Sequence, residues 1–282
     1  MYLLNDGNKL PRIGLGCWNL RQETAEVIRT AVSLGYRLLD TAAYYENEEA
    51  VGEGVRTCGI PREELYITTK VWPSEMTSAK SVRRSLEASM ERLGVSYLDL
   101  FLLHWPIGAV SEAWAELERA QKEGLVKSIG VSNFRPVHLD ELLKTATVCP
   151  AVNQIEFNPT MQTRDALLHS QKLGILPQAW GPLGKGNALN HPQVLALAEK
   201  YGITPAQLLL GWELQLGFCV IPKSKSPARL EENFNALRLN LNQEELTALA
   251  ALNTQKTDRF YPYEFDPARF GTIPETGLRP RE

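Results

Sequence analysis

Asp40, Tyr45, Lys70 and His104 can all move protons, and each stands at or just beyond the end of an apolar run. Asp40 closes Arg37-Leu-Leu-Asp, and Tyr45 follows in Asp-Thr-Ala-Ala-Tyr-Tyr. Lys70 closes Leu65-Tyr-Ile-Thr-Thr-Lys, and His104 closes Leu98-Asp-Leu-Phe-Leu-Leu-His. A free phenol, with a pKa near 10, yields its proton slowly at neutral pH. A neighbouring ammonium favours the phenolate, so Lys70 is expected to bring Tyr45 below that value. Asp40 can keep Lys70 charged and oriented. His104 can donate a hydrogen bond to a substrate oxygen beside Tyr45. Together they suit protonation of a carbonyl oxygen as hydride reaches its carbon. Taken singly, each has an ordinary reading as packing, a cap or a solvated charge; the combination points to an enzyme.

Such a set needs a scaffold that gathers strand ends. Candidate strands are Ile13–Cys17, Leu38–Ala42, Leu65–Lys70, Leu98–Trp105, Ser128–Ser132, Val152–Phe157, Ile175–Trp180 and Phe218–Pro222. Several are continuously apolar, as strands covered on both faces should be. Helical periodicity marks Glu23–Leu34, Glu48–Arg56, Ser78–Leu93, Ala113–Glu123, Val137–Leu143, Arg164–Leu173 and Pro227–Leu237, with two helices between Asn190 and Leu216. In Ser78–Leu93, Val82, Leu86, Met90 and Leu93 form one stripe, and Gly94 ends the helix. The alternation predicts one α/β domain over residues 1–282, a closed (β/α)8 TIM barrel; a doubly wound open sheet is the alternative. In a barrel all strand C-termini meet at one rim. Tyr2–Leu10 reads as a hairpin turning at Asp6-Gly7 and plugging the opposite end. From about residue 253 the chain is rich in aromatics and proline, and a tail over the barrel mouth is expected.

Composition excludes other classes. A net charge of −3 offers no polybasic footprint for nucleic acid or an anionic membrane. No apolar run approaches the roughly 20 residues of a membrane helix, and the N-terminus does not read as a signal peptide. Cys17, Cys58, Cys149 and Cys219 are scattered, which suggests reduced thiols of a cytoplasmic protein and neither disulfides nor a metal site. Gly14-Leu-Gly-Cys-Trp-Asn lacks the third glycine of a dinucleotide fingerprint. No motif suggests a metal or a covalent nucleophile.

Barrels bind phosphate in the loops after strands seven and eight. Strand seven runs into Trp180, Gly181, Pro182, Leu183 and Gly184, whose glycines admit close backbone approach to a pyrophosphate. Strand eight runs into Lys223, Ser224, Lys225, Ser226 and Arg229, a basic pocket suited to a phosphate monoester such as the 2′-phosphate of NADP.

The motifs Leu39-Asp-Thr-Ala-Ala-Tyr-Tyr-Glu-Asn-Glu-Glu, Ile67-Thr-Thr-Lys-Val-Trp, Leu98-Asp-Leu-Phe-Leu-Leu-His-Trp-Pro, Ile129-Gly-Val-Ser-Asn-Phe, Asn153-Gln-Ile-Glu and Ile221-Pro-Lys-Ser occur in this order. In these the chain resembles the aldo-keto reductase superfamily, from Gly14 to about Leu252. The resemblance implies that Asp40, Tyr45, Lys70 and His104 are the catalytic tetrad, with Tyr45 as proton donor. Relatives that reduce steroid double bonds carry Glu at the position of His104, so His implies carbonyl reduction. The resemblance also implies NADP(H), with Ser132, Asn133 and Gln154 on the nicotinamide carboxamide and Trp180 stacked on its ring. Trp there is similar to the bacterial diketogluconate-reductase-like branch. Cys17 and Trp18 would lie beside the nicotinamide ribose, Asp40 would also touch the cofactor, and Glu232 and Asn233 would join the basic loop on the adenosine.

Trp18, Trp72 and Trp105 follow strand ends and, by the same resemblance, line the substrate wall with Tyr45 and His104. Aromatic walls favour apolar or planar carbonyl compounds without naming one. The short stretch Ile107-Gly-Ala-Val after strand four suggests an open site with a broad substrate range, on a monomer. The leading expectation is NADPH-dependent reduction of aldehydes and ketones. The alternatives are a non-catalytic NADP-binding barrel and NADP-dependent alcohol oxidation.

Overall fold

Apolar runs covered on two faces alternate with runs apolar on one, and the chain accordingly folds as repeating strand and helix. The structure is a computed structural model that describes residues 1–254; the expected tail from about 253 lies almost wholly outside the described residues. In chain order the elements are β1 (Tyr2–Leu3), β2 (Lys9–Leu10), β3 (Leu15–Gly16), α1 (Thr24–Ser33), β4 (Leu38–Asp40), α2 (Glu48–Thr57), β5 (Tyr66–Val71), α3 (Ala79–Leu93), β6 (Leu98–Leu103), α4 (Val110–Lys122), β7 (Val126–Ser132) and α5 (Pro136–Leu142). They continue with β8 (Val152–Asn158), β9 (Met161–Gln162), α6 (Arg164–Lys172), β10 (Leu176–Trp180), α7 (Pro192–Tyr201), α8 (Pro205–Gln215), β11 (Cys219–Val220), α9 (Pro227–Phe234) and α10 (Gln243–Ala250).

The principal strands lie in the order β11-β10-β8-β7-β6-β5-β4-β3, all parallel. A parallel bridge between Ile13 and Val220 joins the last strand to the first. Gly14 N–H donates to the Val220 carbonyl at 2.9 Å and Gly16 N–H to the Pro222 carbonyl at 3.1 Å across the same seam. The eight-stranded barrel expected from the sequence is therefore the observed architecture. The open-sheet alternative is excluded by that seam.

Alternation along each strand splits the core in two. Leu38, Leu100, Leu102, Val152, Cys219 and Ile221 face the barrel interior, while Leu39, Phe101, Leu103 and Ile129 face the helices. This is why Leu100–Leu103 of β6 reads as unbroken apolar sequence. The β1–β2 hairpin inserts Leu4 and Leu10 into the interior cluster. Asn5 and Asn8 donate to the carbonyls of Pro150 and Lys127, at the starts of β8 and β7. The hairpin thus closes the N-terminal end, leaving the C-terminal rim open for chemistry.

Helix boundaries follow local signals. Ser78 caps α3, its hydroxyl accepting from Ser81 N–H, and Gly94 ends it at φ +65°. Differences from the sequence reading are small. Strand ladders stop short at Asp40, Leu103 and Val220, so His104 and Trp105 lie just past their strand. The stretch expected as Pro227–Leu237 is α9 followed by a 3-10 turn over Asn235–Arg238. The short β9 and the helix α10 were not foreseen. Among the described residues no helix is long and apolar enough to cross a membrane.

Candidate active site

Asp40 ends β4 and points into the barrel, and Lys70 comes from the adjacent strand β5, two residues beyond Thr68, the register partner of Asp40, and so on the same face of the sheet. Both are buried, and their ion pair measures 2.6 Å. Lys70 Nζ also donates to the Thr41 carbonyl at 2.8 Å and lies 3.5 Å from the Tyr45 hydroxyl. Tyr45 is carried on a 3-10 turn, Ala43–Tyr45, ended by Glu46 at φ +52°. His104 stands just beyond β6, its ring centroid 5.9 Å from that of Tyr45. The four residues proposed from sequence therefore meet at one point, on strands that are neighbours in the sheet.

Burial drives both members of the ion pair toward neutrality. For Lys70 the attraction of Asp40 and Tyr45 outweighs burial, and its pKa is raised above the ordinary lysine value. For Asp40 burial is the larger influence, opposed by Lys70 and Gln154. The pair is read as charged, because both Asp40 oxygens accept from donors, Lys70 at 2.6 Å and Gln154 Nε2 at 2.7 Å. Burial pushes the Tyr45 phenol above its free value and Lys70 pulls the other way without winning. This corrects the expectation of a phenol below 10: desolvation was invisible in the sequence. Tyr45 is half-buried as a residue, so contact with water tempers that push. Burial, aided by Lys70, holds the His104 imidazole well below its usual range and hence neutral.

These groups open into a cavity of about 510 Å³. Trp18, Asp40, Tyr45, Trp72, His104 and Trp105 belong to its lining. Ser132, Asn133, Gln154, Trp180, Gly181, Pro182 and Leu183 also line it, and Lys223 reaches it from the loop after β11. Trp180 Nε1 donates to Asn133 Oδ1 at 2.9 Å, and Asn133 Nδ2 donates to the His104 carbonyl at 3.0 Å. Ser132 Oγ donates to the Gln154 carbonyl, and Gln154 Nε2 links Asp40 to Gln178. One polar network thus runs from Trp180 to the Asp40–Lys70 pair.

Other sequence candidates fall elsewhere. Gly184 packs behind the cavity against Asn158. Cys17 is buried, and burial first, then Asp40, raises its thiol far above the usual range; its backbone N–H donates to the Asp40 carbonyl at 2.8 Å. It braces β4 and keeps its sulfur from the cavity. Ser224, Lys225, Ser226 and Arg229 gather at the start of α9, which Ser226 caps. Glu232 instead accepts from Thr204 Oγ1 at 2.5 Å, and Asn233 is buried under its helix. Six cavity residues were missed: Gly16, Asn19, Tyr44, Lys185, Ile221 and Pro222. Tyr44 stacks on Trp72 at 3.9 Å between centroids and lies parallel to Trp18 at 6.1 Å; the doubled Tyr44-Tyr45 was its signal. Asn19 and Lys185 also line the cavity, both at positive φ, which no local motif announced.

The described chain has four free cysteines and, among the described residues, no cluster able to hold a metal. The pattern of the aldo/keto reductase family matches residues 12–254. Methylglyoxal reductase DkgA of Escherichia coli (strain K12) is 42% identical over 274 residues, 95% of this chain and 97% of that protein. Among solved structures, an aldo/keto reductase from Brucella melitensis superposes with a TM-score of 0.87 at 39% identity, covering 89% of this chain and 97% of its own. A Bombyx mori aldo-keto reductase in complex with NADP gives a TM-score of 0.85 at 32% identity, covering 91% and 93%.

Proposed function

The chain belongs to the aldo/keto reductase family, and we propose that it reduces aldehydes and ketones with NADPH, Tyr45 delivering the proton. The observation that carries this reading is the Tyr45 hydroxyl 3.5 Å from a buried Lys70 that is itself ion-paired to Asp40, all at the base of the cavity. The likeness to a methylglyoxal reductase supports carbonyl chemistry, and the Bombyx mori complex supports NADP.

The donor set fits that cofactor. Ser132, Asn133, Gln154 and Trp180 stand together as an amide-recognising face with an aromatic wall. Lys223, Lys225 and Arg229 surround the capped start of α9, as a phosphate requires. Bound there, a nicotinamide would supply hydride. Everything else falls to the protein. Neutral His104 holds the carbonyl oxygen by a hydrogen bond, and Tyr45 protonates that oxygen as charge develops. Lys70 then stabilises the phenolate left behind, and Asp40 keeps Lys70 charged. The wall of Trp18, Tyr44 and Trp72 excludes water and receives apolar substituents. The short loop to α4 leaves the rim open, so we infer a broad range of small carbonyl substrates.

The test follows NADPH absorbance across a panel of aldehydes, ketones and dicarbonyls. Turnover of several, with NADPH far preferred to NADH, is the expected result. Protein that binds NADPH and turns over none of them would return the choice to a non-catalytic barrel.

A further inference from the structure

The loop after β3 and the loop after β11 face each other across the barrel seam. Gly16 approaches so closely that a side-chain carbon there would lie 2.7 Å from the Ile221 carbonyl oxygen. Beyond Gly16 the chain turns through two non-glycine residues in the left-handed region, Asn19 and Arg21, both at φ 55°. Arg21 Nε donates to Asn19 Oδ1 at 2.8 Å and fixes the turn. The turn delivers Glu23, which ends the 3-10 segment before α1. Its carboxylate forms an ion pair with Lys225. It also acts on Lys223, whose ammonium is disfavoured first by burial and next by Lys225, with Glu23 opposing both. An anion belonging to the chain itself therefore sits among the cations of the loop after β11.

We propose that Glu23 is a specificity-determining residue that competes with the cofactor's 2′-phosphate for Lys225. The inference rests on the reading of NADP(H) as cofactor. A 2′-phosphate that approaches Lys223 and Lys225 must take Lys225 from Glu23 and accept the nearby carboxylate. NADH carries no such group and meets no such competition. Glu23 consequently weakens the preference for the phosphorylated cofactor, and a neutral side chain there sharpens it. The pair is partly exposed, 36% for Lys225 and 54% for Glu23, so the effect is modest and falls with salt.

The experiment is calorimetric titration with NADP⁺, 2′,5′-ADP and 5′-ADP at low ionic strength. It compares the full-length protein with Glu23→Gln, Lys225→Ala and the double variant. Glu26→Gln, exposed one turn further on, removes the same formal charge without touching Lys225. Glu23→Gln is expected to bind NADP⁺ and 2′,5′-ADP about two- to five-fold tighter, the range for an exposed pair, with 5′-ADP unchanged. The gain should vanish in the Lys225→Ala background, which isolates the pairwise interaction. No gain, a loss, the same gain with Glu26→Gln, or the same gain with 5′-ADP overturns the inference alone. Wild-type protein that binds neither NADP⁺ nor 2′,5′-ADP overturns the cofactor reading and this inference with it.

Discussion

At the scale of single residues the site is a competition between burial and charge. Tyr45→Phe removes one oxygen from a ring held by Trp18 and His104, so the fold is undisturbed. Reduction should slow by about two to four orders of magnitude, the range for losing a general acid, while NADPH binding, followed by titration, stays near wild type. Lys70→Met tests the tuning. Burial holds the Tyr45 phenol above its free value and Lys70 opposes this, so removing the charge should raise the phenol further. The reductive rate falls as pH rises through that pKa, and the oxidative rate rises there. The oxidative limb of Lys70→Met should thus move to higher pH, with both rates lower; a limb that stays or moves down refutes the assignment. The same substitution leaves Asp40 buried without its partner, a loss of about 3–5 kcal/mol for a broken buried pair, so the series belongs well below the unfolding temperature. The clustering of these four side chains was legible because phenol, ammonium, carboxylate and imidazole stood on consecutive strand ends. What the sequence concealed was direction. Cys17 is wholly buried beside Asp40 and stays off the cavity wall, and the Glu232 carboxylate accepts from Thr204.

At the scale of elements, sequence periodicity placed the strands well and their ends less well. His104 reads as the last residue of an apolar run, but the parallel ladder ends at Leu103; hydropathy cannot register where a neighbour's hydrogen bonds stop. β9 and α10 were missed for another reason. Two residues are too few for a period, and Gln243–Ala250 is set by a capping box at Asn242 and Glu245 and not by a strong apolar stripe. Helix contacts that the sequence could not show position the site from behind. α2 and α3 meet where Gly52 faces the Leu93 carbonyl, and a side-chain carbon at Gly52 would lie 2.4 Å from that oxygen. Nearby, Arg92 of α3 reaches Glu48 of α2 at 2.6 Å, and Thr69, the neighbour of Lys70, donates to the same carboxylate at 2.5 Å. Gly52→Ala should therefore cost about 1–3 kcal/mol by overpacking against backbone that cannot yield. Denaturant unfolding measures it, and a variant as stable as wild type would show that the helices separate freely.

At the scale of the whole molecule, the barrel hides polar groups on its far side that serve no part of the chemistry. α8 is buried almost all round, and Glu213 lies on it with both carboxylate oxygens buried and without hydrogen-bond partners among the described residues. Burial alone raises its pKa well above the ordinary glutamate value. The carboxyl is held neutral in the folded chain and ionises freely in the unfolded one. The sign follows from proton counting: between the unfolded and the raised folded pKa, the folded state binds the extra proton. Glu213 is therefore least costly below pH about 4.3, the unperturbed value. Its cost grows by up to about 1.4 kcal/mol per pH unit as pH rises toward the folded pKa. Glu213→Leu replaces the carboxyl by an apolar group of similar bulk and abolishes the dependence. Since every other group titrates alike in both proteins, the difference between variant and wild type isolates this residue. Urea unfolding at pH 5 and pH 8 should find Glu213→Leu the more stable protein at pH 8, with a smaller advantage at pH 5. An advantage equal at the two values would mean that Glu213 does not titrate between them, and a lower stability at pH 8 would mean that the carboxylate has a partner in solution.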